Sequence, residues 1–507
     1  MKFVSSILAS LLLILSFRIE AQTVKDLAIQ ATAVVTKSPP SISLRWPLIS
    51  SGVTKYTIYR KAKDEQTWGT VKFSPKASDT MWTDTDVSVG KVYEYNIQKL
   101  NGASVTGITY ILSGIEVPVV HNRGSALVVI EKTLAAAVSS EFDNYLMDIA
   151  ADGWKVFVVQ VSKTDSVTFV KREIKRFHKM AGGLTSLILI GHVPVPYSGN
   201  FGGNPDYPQA PDAHPDHVGC WPADTYYAID YDFWADSDSN TVGGRTANQN
   251  VPGDGKFDNV EIPGTVRYYM GRIDLSDMPA FGLSEAELTK RYFKKAHDFR
   301  YKTTQTVEKG VIDENFGVST GAFSVTGWRN FSAMFGPKNI IEGDLLTNCS
   351  TQNLLFAFGA GGGSYNSCGG VCSTTDLVTS KPAVFNMLFG SYFGDWDNTN
   401  NLLRAPLASP ENGLTNAWSG RPYWQNHSMA LGDPIGYSAL VTQNNRGLYS
   451  YGIFANLIHV GLMGDPTLRL HIIAPPTAVS AKDSFNKTIV NLKWTSSTES
   501  SLSLIHI

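Results

Sequence analysis

Hydrophobic and polar positions along this chain follow two grammars. From Val24 to Pro118 they alternate. Ser41-Ile42-Ser43-Leu44-Arg45-Trp46, Tyr56-Thr57-Ile58-Tyr59-Arg60-Lys61, Tyr93-Glu94-Tyr95-Asn96-Ile97 and Gly107-Ile108-Thr109-Tyr110 each set every second side chain on one face. Short period-two stretches between turn residues predict an all-β sandwich over residues 24–118, with Trp46 in its core and Tyr93 at a corner.

At Ser125 the pattern becomes apolar runs alternating with amphipathic ones. Strand Ser125–Ile130, a helix from Glu141 to Ala151 with Phe142, Tyr145, Leu146 and Ile149 on one face, strand Lys155–Val159, a basic helix Thr168–Met180 and strand Leu187–Ile190 follow in turn. That order predicts a parallel sheet with right-handed crossovers and helices on both faces. Further along, Arg267–Asp274 reads as a strand and Ser284 caps a helix reaching Tyr301. Val311-Ile312 begins a strand, Ser324–Phe335 is helical although Gly327 weakens it, and Tyr451–His459 reads as helix-like before a turn and a last strand.

The stretch that organises this part is Leu354–Asp397. Leu354–Phe358 spills into Gly359-Ala360-Gly361-Gly362-Gly363, and Ala383–Phe389 spills into Gly390-Ser391-Tyr392-Phe393-Gly394-Asp395. Ligands of open α/β sheets gather beyond the carboxyl ends of the strands, so these two loops are expected to frame any active site. The strand Leu187–Ile190 likewise exits at Gly191-His192, which makes His192 a candidate site residue.

Residues 200–264 are rich in Gly, Pro and Asp and read as a functional excursion. Asp236, Asp238 and Asn240, with Asp254 and Asp258 downstream, offer short-spaced oxygens of the kind Ca²⁺ takes, without the glutamate that closes an EF-hand. Ordinary Asx turns are the competing reading.

With 507 residues the chain has room for several domains. A net charge of −2 excludes any global pull toward nucleic acid. Residues 1–22 combine a basic start, an apolar core and Ala21 as a cleavage residue, the form of a secretory signal peptide; no other stretch approaches a membrane span. Export makes disulfides the plain expectation for Cys220, Cys349, Cys368 and Cys372, with Cys368–Cys372 the nearest pair. From residue 474 the sandwich pattern returns: Val490-Asn491-Leu492-Lys493-Trp494 mirrors Leu44-Arg45-Trp46. Residues 474–507 are read as the truncated start of a second sandwich.

The placing of Trp46, the Tyr56–Lys61 strand and the Tyr93–Ile97 strand resembles a fibronectin type III domain. Residues 125–472 resemble the gingipain-type cysteine peptidases, of caspase-like α/β fold. The resemblance rests on the strand–helix opening up to Gly191, Trp221-Pro222-Ala223-Asp224-Thr225-Tyr226-Tyr227, Gly271-Arg272-Ile273 and Gly464-Asp465-Pro466-Thr467-Leu468. It implies a His on a Gly-His-Gly loop after one strand and a Cys after the next. Here those positions read Gly359-Ala360-Gly361 and Phe389-Gly390-Ser391, so both groups are absent.

Three substitutes offer themselves: Ser391 as nucleophile, Cys368 as nucleophile, and the carboxylates Asp395 and Asp397. No histidine is near Ser391 in sequence, which leaves His192, His427 and His459 to approach it through space. The expected function is therefore a secreted, gingipain-like peptidase relative, catalytically impaired or divergent. The alternative is a non-catalytic surface module that grips peptide or glycan through aromatics such as Tyr365, Tyr392 and Trp396. Either way the expected partner is protein or peptide, and the resemblance implies cell-surface attachment through a C-terminal sorting domain that this sequence does not contain.

Overall fold

A computed structural model describes residues 23–497 apart from 50–51, 204, 231–233, 319–320, 475 and 484–489. The predicted signal peptide and the last ten residues lie outside the described residues.

Alternation in Ser41–Arg45 turns Ile42 and Leu44 inward, and the neighbouring strands do likewise. Seven strands form two sheets. Thr32–Thr36, Ser41–Arg45 and Met81–Asp84 make one; Val71–Phe73, Lys55–Ala62, Val92–Asn101 and Ser104–Gly114 make the other. Between them lie Ile42, Leu44, Trp46, Tyr56, Ile58, Tyr95, Ile97 and Ile111. Tyr93 is the expected corner: its hydroxyl accepts the Ser88 amide at 2.9 Å. Tyr93→Phe should cost about 1 kcal/mol, the net worth of one such bond, measured by urea unfolding.

The sandwich does not hang from a linker. Glu94 is buried between Lys61 and His427, whose Nε2 lies 2.6 Å from Oε1. Around this trio, Trp68 Nε1 donates to the Leu448 carbonyl at 2.6 Å and the Ser450 amide donates to Tyr110 Oη at 2.7 Å. Both neighbours hold the Glu94 carboxyl ionised below its ordinary range, against the opposing effect of burial.

The second domain is built on a ten-stranded sheet. In order across it run Ile340–Glu342, Val307–Glu314, Leu354–Ala360, Phe385–Phe389, Thr415–Trp418, Leu462–Gly464, Tyr269–Ile273, Ser186–Ile190, Gly124–Glu131 and Trp154–Val161. The expected parallel sheet is a mixed one. The first five strands are parallel to one another, as are the last four, but Leu462–Gly464 between them runs antiparallel to Thr415–Trp418. The exits of Tyr269–Ile273 and Phe385–Phe389 lie close together: Arg272 sits over the Trp396 ring and Arg404 pairs with Asp274.

Helices cover both faces, as expected. Val325–Phe335 packs on Phe358 through Gly327, where an added Cβ would sit 3.1 Å from the Phe358 Cβ. That contact explains a glycine inside a helix. On the opposite face, Gly359 meets Leu345 of the helix Leu345–Thr351. Ser284 and Glu287 form the capping box of the helix Glu285–Arg300, as its sequence predicts. Tyr451–His459, by contrast, is irregular. Its apolar residues Leu457 and Ile458 are buried from a loop, so burial there does not imply helix. Among the described residues no helix is long and apolar enough to cross a membrane.

Candidate functional site

Ser391 follows the strand Phe385–Phe389 in a tight turn. The two glycine-rich loops meet at this rim: the Gly361 amide donates to the Phe389 carbonyl at 3.1 Å, and Gly363 lies against the Ser391 backbone too closely for any side chain. The next residue, Tyr392, has φ +67, a left-handed conformation that disfavours a side chain of this size. It is held there by its amide, which donates to Asp212 Oδ2 at 2.9 Å, and by its hydroxyl, which donates to Asp216 at 3.0 Å.

Both acceptors come from the excursion. After Ser186–Ile190 the chain runs out through the paired strands Tyr197–Phe201 and Gly219–Pro222. On the way Asp224 takes a two-pronged ion pair from the buried Arg272, both contacts at 2.7 Å. The segment Asp212-Ala213-His214-Pro215-Asp216-His217 is thereby laid over the Ser391 rim. His214 Nε2 lies 2.7 Å from Ser391 Oγ, and its ring stacks on Tyr392 with centroids 4.8 Å apart. An imidazole is thus in hydrogen-bond reach of the serine. His214 is none of the three histidines expected to approach.

Beneath it a buried polar network fixes the loops. His217 bridges Asp212 Oδ2 at 2.5 Å and Asp395 Oδ2 at 2.9 Å, and its ring lies on Trp221 with centroids 4.1 Å apart. Burial alone would pull the imidazolium down, but the hydrogen bonds to Asp212 and Asp395 prevail and raise it to about 9. Asp395 also accepts from Asn248 Nδ2 at 2.7 Å and pairs with Arg245 at 3.0 Å. Burial opposes its charge, and those partners nonetheless keep its carboxyl below the ordinary range. Asp397 pairs with Arg245 at 3.2 Å and accepts from the Tyr197 hydroxyl. Asp395 and Asp397 are thus committed to partners, and the carboxylate-pair mechanism loses its free oxygens.

Cys368 is buried, with Sγ directed at the Phe389 carbonyl at 3.3 Å, and burial pushes its thiol up to about 12. Such a thiol is a poor nucleophile. Cys368 faces Cys372 across a short hairpin; both remain free thiols, as do Cys220 and Cys349, so the expected bridge is not formed. His192 is bonded to Asp274 at 3.0 Å and to Ser276 at 3.2 Å rather than to Ser391. His427 is taken by Glu94, and His459 Nε2 contacts the Arg421 carbonyl at 2.8 Å. Ala360 and Phe389 are strand residues buried in the core.

Of the five residues read as cation ligands, three are taken by loop amides, and Asp258 Oδ2 accepts those of Ser237 at 2.7 Å and Asp238 at 3.2 Å. Asp236 accepts the Gly253 and Gly255 amides, and Asp254 accepts those of Val251 and Lys256. These are turn-forming roles. Among the described residues no three His, Cys, Asp or Glu side chains converge to hold a metal.

His214, His217, Asp212, Arg245 and Asn248 were not singled out from sequence. The signal available was the spacing Asp-x-His-x-x-His at 212–217, two imidazoles within six residues of a Gly- and Pro-rich segment.

No family model matches the chain, and no curated protein matches it. Among solved structures it is similar to fibronectin type III domains over under a fifth of its length. An FN3tt variant is 17% identical over 17% of this chain and 88% of that one, with a TM-score of 0.14. An Fn3-like protein from Clostridium thermocellum is 22% identical over 18% and 90%, with a TM-score of 0.14. The fn3 domain of human collagen alpha-1(XX) is 16% identical over 18% and 87%, with a TM-score of 0.15. Scores this low carry no argument about function.

Proposed function

We propose that this protein is a secreted hydrolase of gingipain-like kind that works through Ser391 in place of a cysteine. The observation that supports it is the 2.7 Å contact between His214 Nε2 and Ser391 Oγ at the meeting of the two glycine-rich loops. In this reading Oγ attacks a peptide or ester carbonyl while Nε2 takes its proton. The proton then passes to the leaving group, and water repeats the sequence on the acyl-enzyme.

One observation favours a second reading, a module that holds peptide without turnover. The Tyr392 amide, which follows the nucleophile and is the usual donor to a developing oxyanion, is committed to Asp212. A fluorophosphonate probe and a casein digest separate the two. The hydrolase reading expects labelling at Ser391 and cleavage that falls by about 10³-fold or more in Ser391→Ala and His214→Ala. Peptide binding with neither labelling nor cleavage would leave the module reading standing.

A further inference from the structure

Arg421 stands on the loop after the strand Thr415–Trp418, beside the strand that delivers Ser391. The Ser419 amide donates to the Leu388 carbonyl at 3.0 Å, and a Cβ on Gly420 would meet the Phe323 and Phe389 side chains at 3.1 and 3.2 Å. The loop is thus pressed onto the end of the nucleophile's strand. His459 fixes its backbone: burial pulls that imidazole down to about 4, so a neutral ring donates Nε2–H to the Arg421 carbonyl at 2.8 Å.

The guanidinium lies against three aromatic rings, 5.1 Å from the centre of Phe323, 5.4 Å from Phe389 and 5.9 Å from Phe454. Nη1 donates to the Pro211 carbonyl at 3.0 Å, while Nε is buried with no partner. Among the described residues no carboxylate pairs with it. Asp212 attracts it through space, but the Asp212 oxygens are held by the Tyr392 and His214 amides and by His217. Burial outweighs that attraction and pulls the guanidinium below its ordinary range. A guanidinium offers its donors as a planar fork that matches a carboxylate, and this one spends a single hydrogen bond on the protein. Pro211 shares an arm with His214, and Phe389 ends the strand before Ser391. Arg421 therefore touches both structures that bring base and nucleophile together.

We propose that Arg421 selects the substrate of this site by taking a carboxylate, either an acidic side chain near the scissile bond or the free C-terminus of a peptide. The inference rests on the hydrolase reading of Ser391, so it is tested once by cleavage and once without it.

Full-length protein is given a blocked peptide library containing Glu and Asp, a twin library with Gln and Asn in their place, and the twin again with free C-termini. Mass spectrometry should show carboxylate-bearing peptides cleaved at least about tenfold faster than their neutral twins. The second library set against the first reports the side chain, and the third reports the terminus. Arg421→Gln should bring the ratio close to one, and Arg421→Lys should keep part of it. Lost packing would slow both twins alike and leave the ratio standing. In the second arm, immobilised Ser391→Ala protein should retain the same carboxylate peptides, and should release them when Arg421→Gln is added. Cleavage or retention without preference for the carboxylate twin, or a preference that survives Arg421→Gln, overturns the inference. Retention through Arg421 with neither labelling of Ser391 nor cleavage removes the hydrolase reading alone. Neither cleavage nor retention of any peptide overturns both. Should Arg421→Gln fail to fold, Arg421→Lys and the wild-type ratio decide.

Discussion

Asp395→Ala should destabilise the protein by about 3–5 kcal/mol and leave Ser391 without its base. The cost arises because the buried His217 and the half-buried Arg245 lose a shared partner at once. The same network sets a pH dependence whose sign follows from His217. Its folded pKa, about 9, lies above the ordinary 6.5, so the protonated form is favoured by folding. That stabilisation is complete below about pH 6.5 and is lost as pH rises through 9, up to about 3 kcal/mol in all. Urea unfolding at pH 6 and pH 9.5 measures it. In Asp395→Ala the difference between the two should shrink, since only Asp212 remains to hold the proton. An alkaline loss as large as the wild type's would show that Asp395 does not hold His217 in this state.

The second large effect lies at the domain interface. Glu94→Ala strands Lys61, whose ammonium is almost wholly enclosed, and removes the partner of His427. A cost of about 3–5 kcal/mol is expected, again from an uncompensated buried charge. The readout is limited proteolysis. The connection from Glu116 to Asn122 is largely exposed but spans two domains held fast, and the variant should be nicked there while the wild type resists. Equal resistance in both would place the docking energy in the aromatic contacts of Trp68, Tyr110 and Tyr449 instead.

Much of this architecture is legible in the chain because local pattern and final burial agree. Ile42 and Leu44 alternate in sequence and alternate in the sandwich; Ser284 caps the helix its neighbours predict. The two glycine-rich loops meet beyond their strands, as the strand-end argument requires. What escapes is non-local. His214 is 177 residues from Ser391, and only the course of the excursion brings them together. Strand direction escapes too, since the short apolar run Leu462–Gly464 reads the same whichever way it enters the sheet. The Asp-rich segment misleads in its own way. Spacing nominates Asp236, Asp254 and Asp258 as cation ligands, whereas loop amides claim all three.

The place of Leu462–Gly464 also constrains the order in which the chain can mature. It is the sixth strand across the sheet but the last to be synthesised, pairing with Ala417, Asn416 and Thr415 on one side and with Arg272 on the other. The five-strand block and the four-strand block that flank it can each gather from sequence-local units while the polypeptide is still emerging. The closing stitch cannot be made until residue 464 is available, so until then the facing edges of both blocks stay open to wrong partners. A chain interrupted anywhere before that point would present two unsealed β edges, and aggregation rather than loss of a single contact is its natural fate.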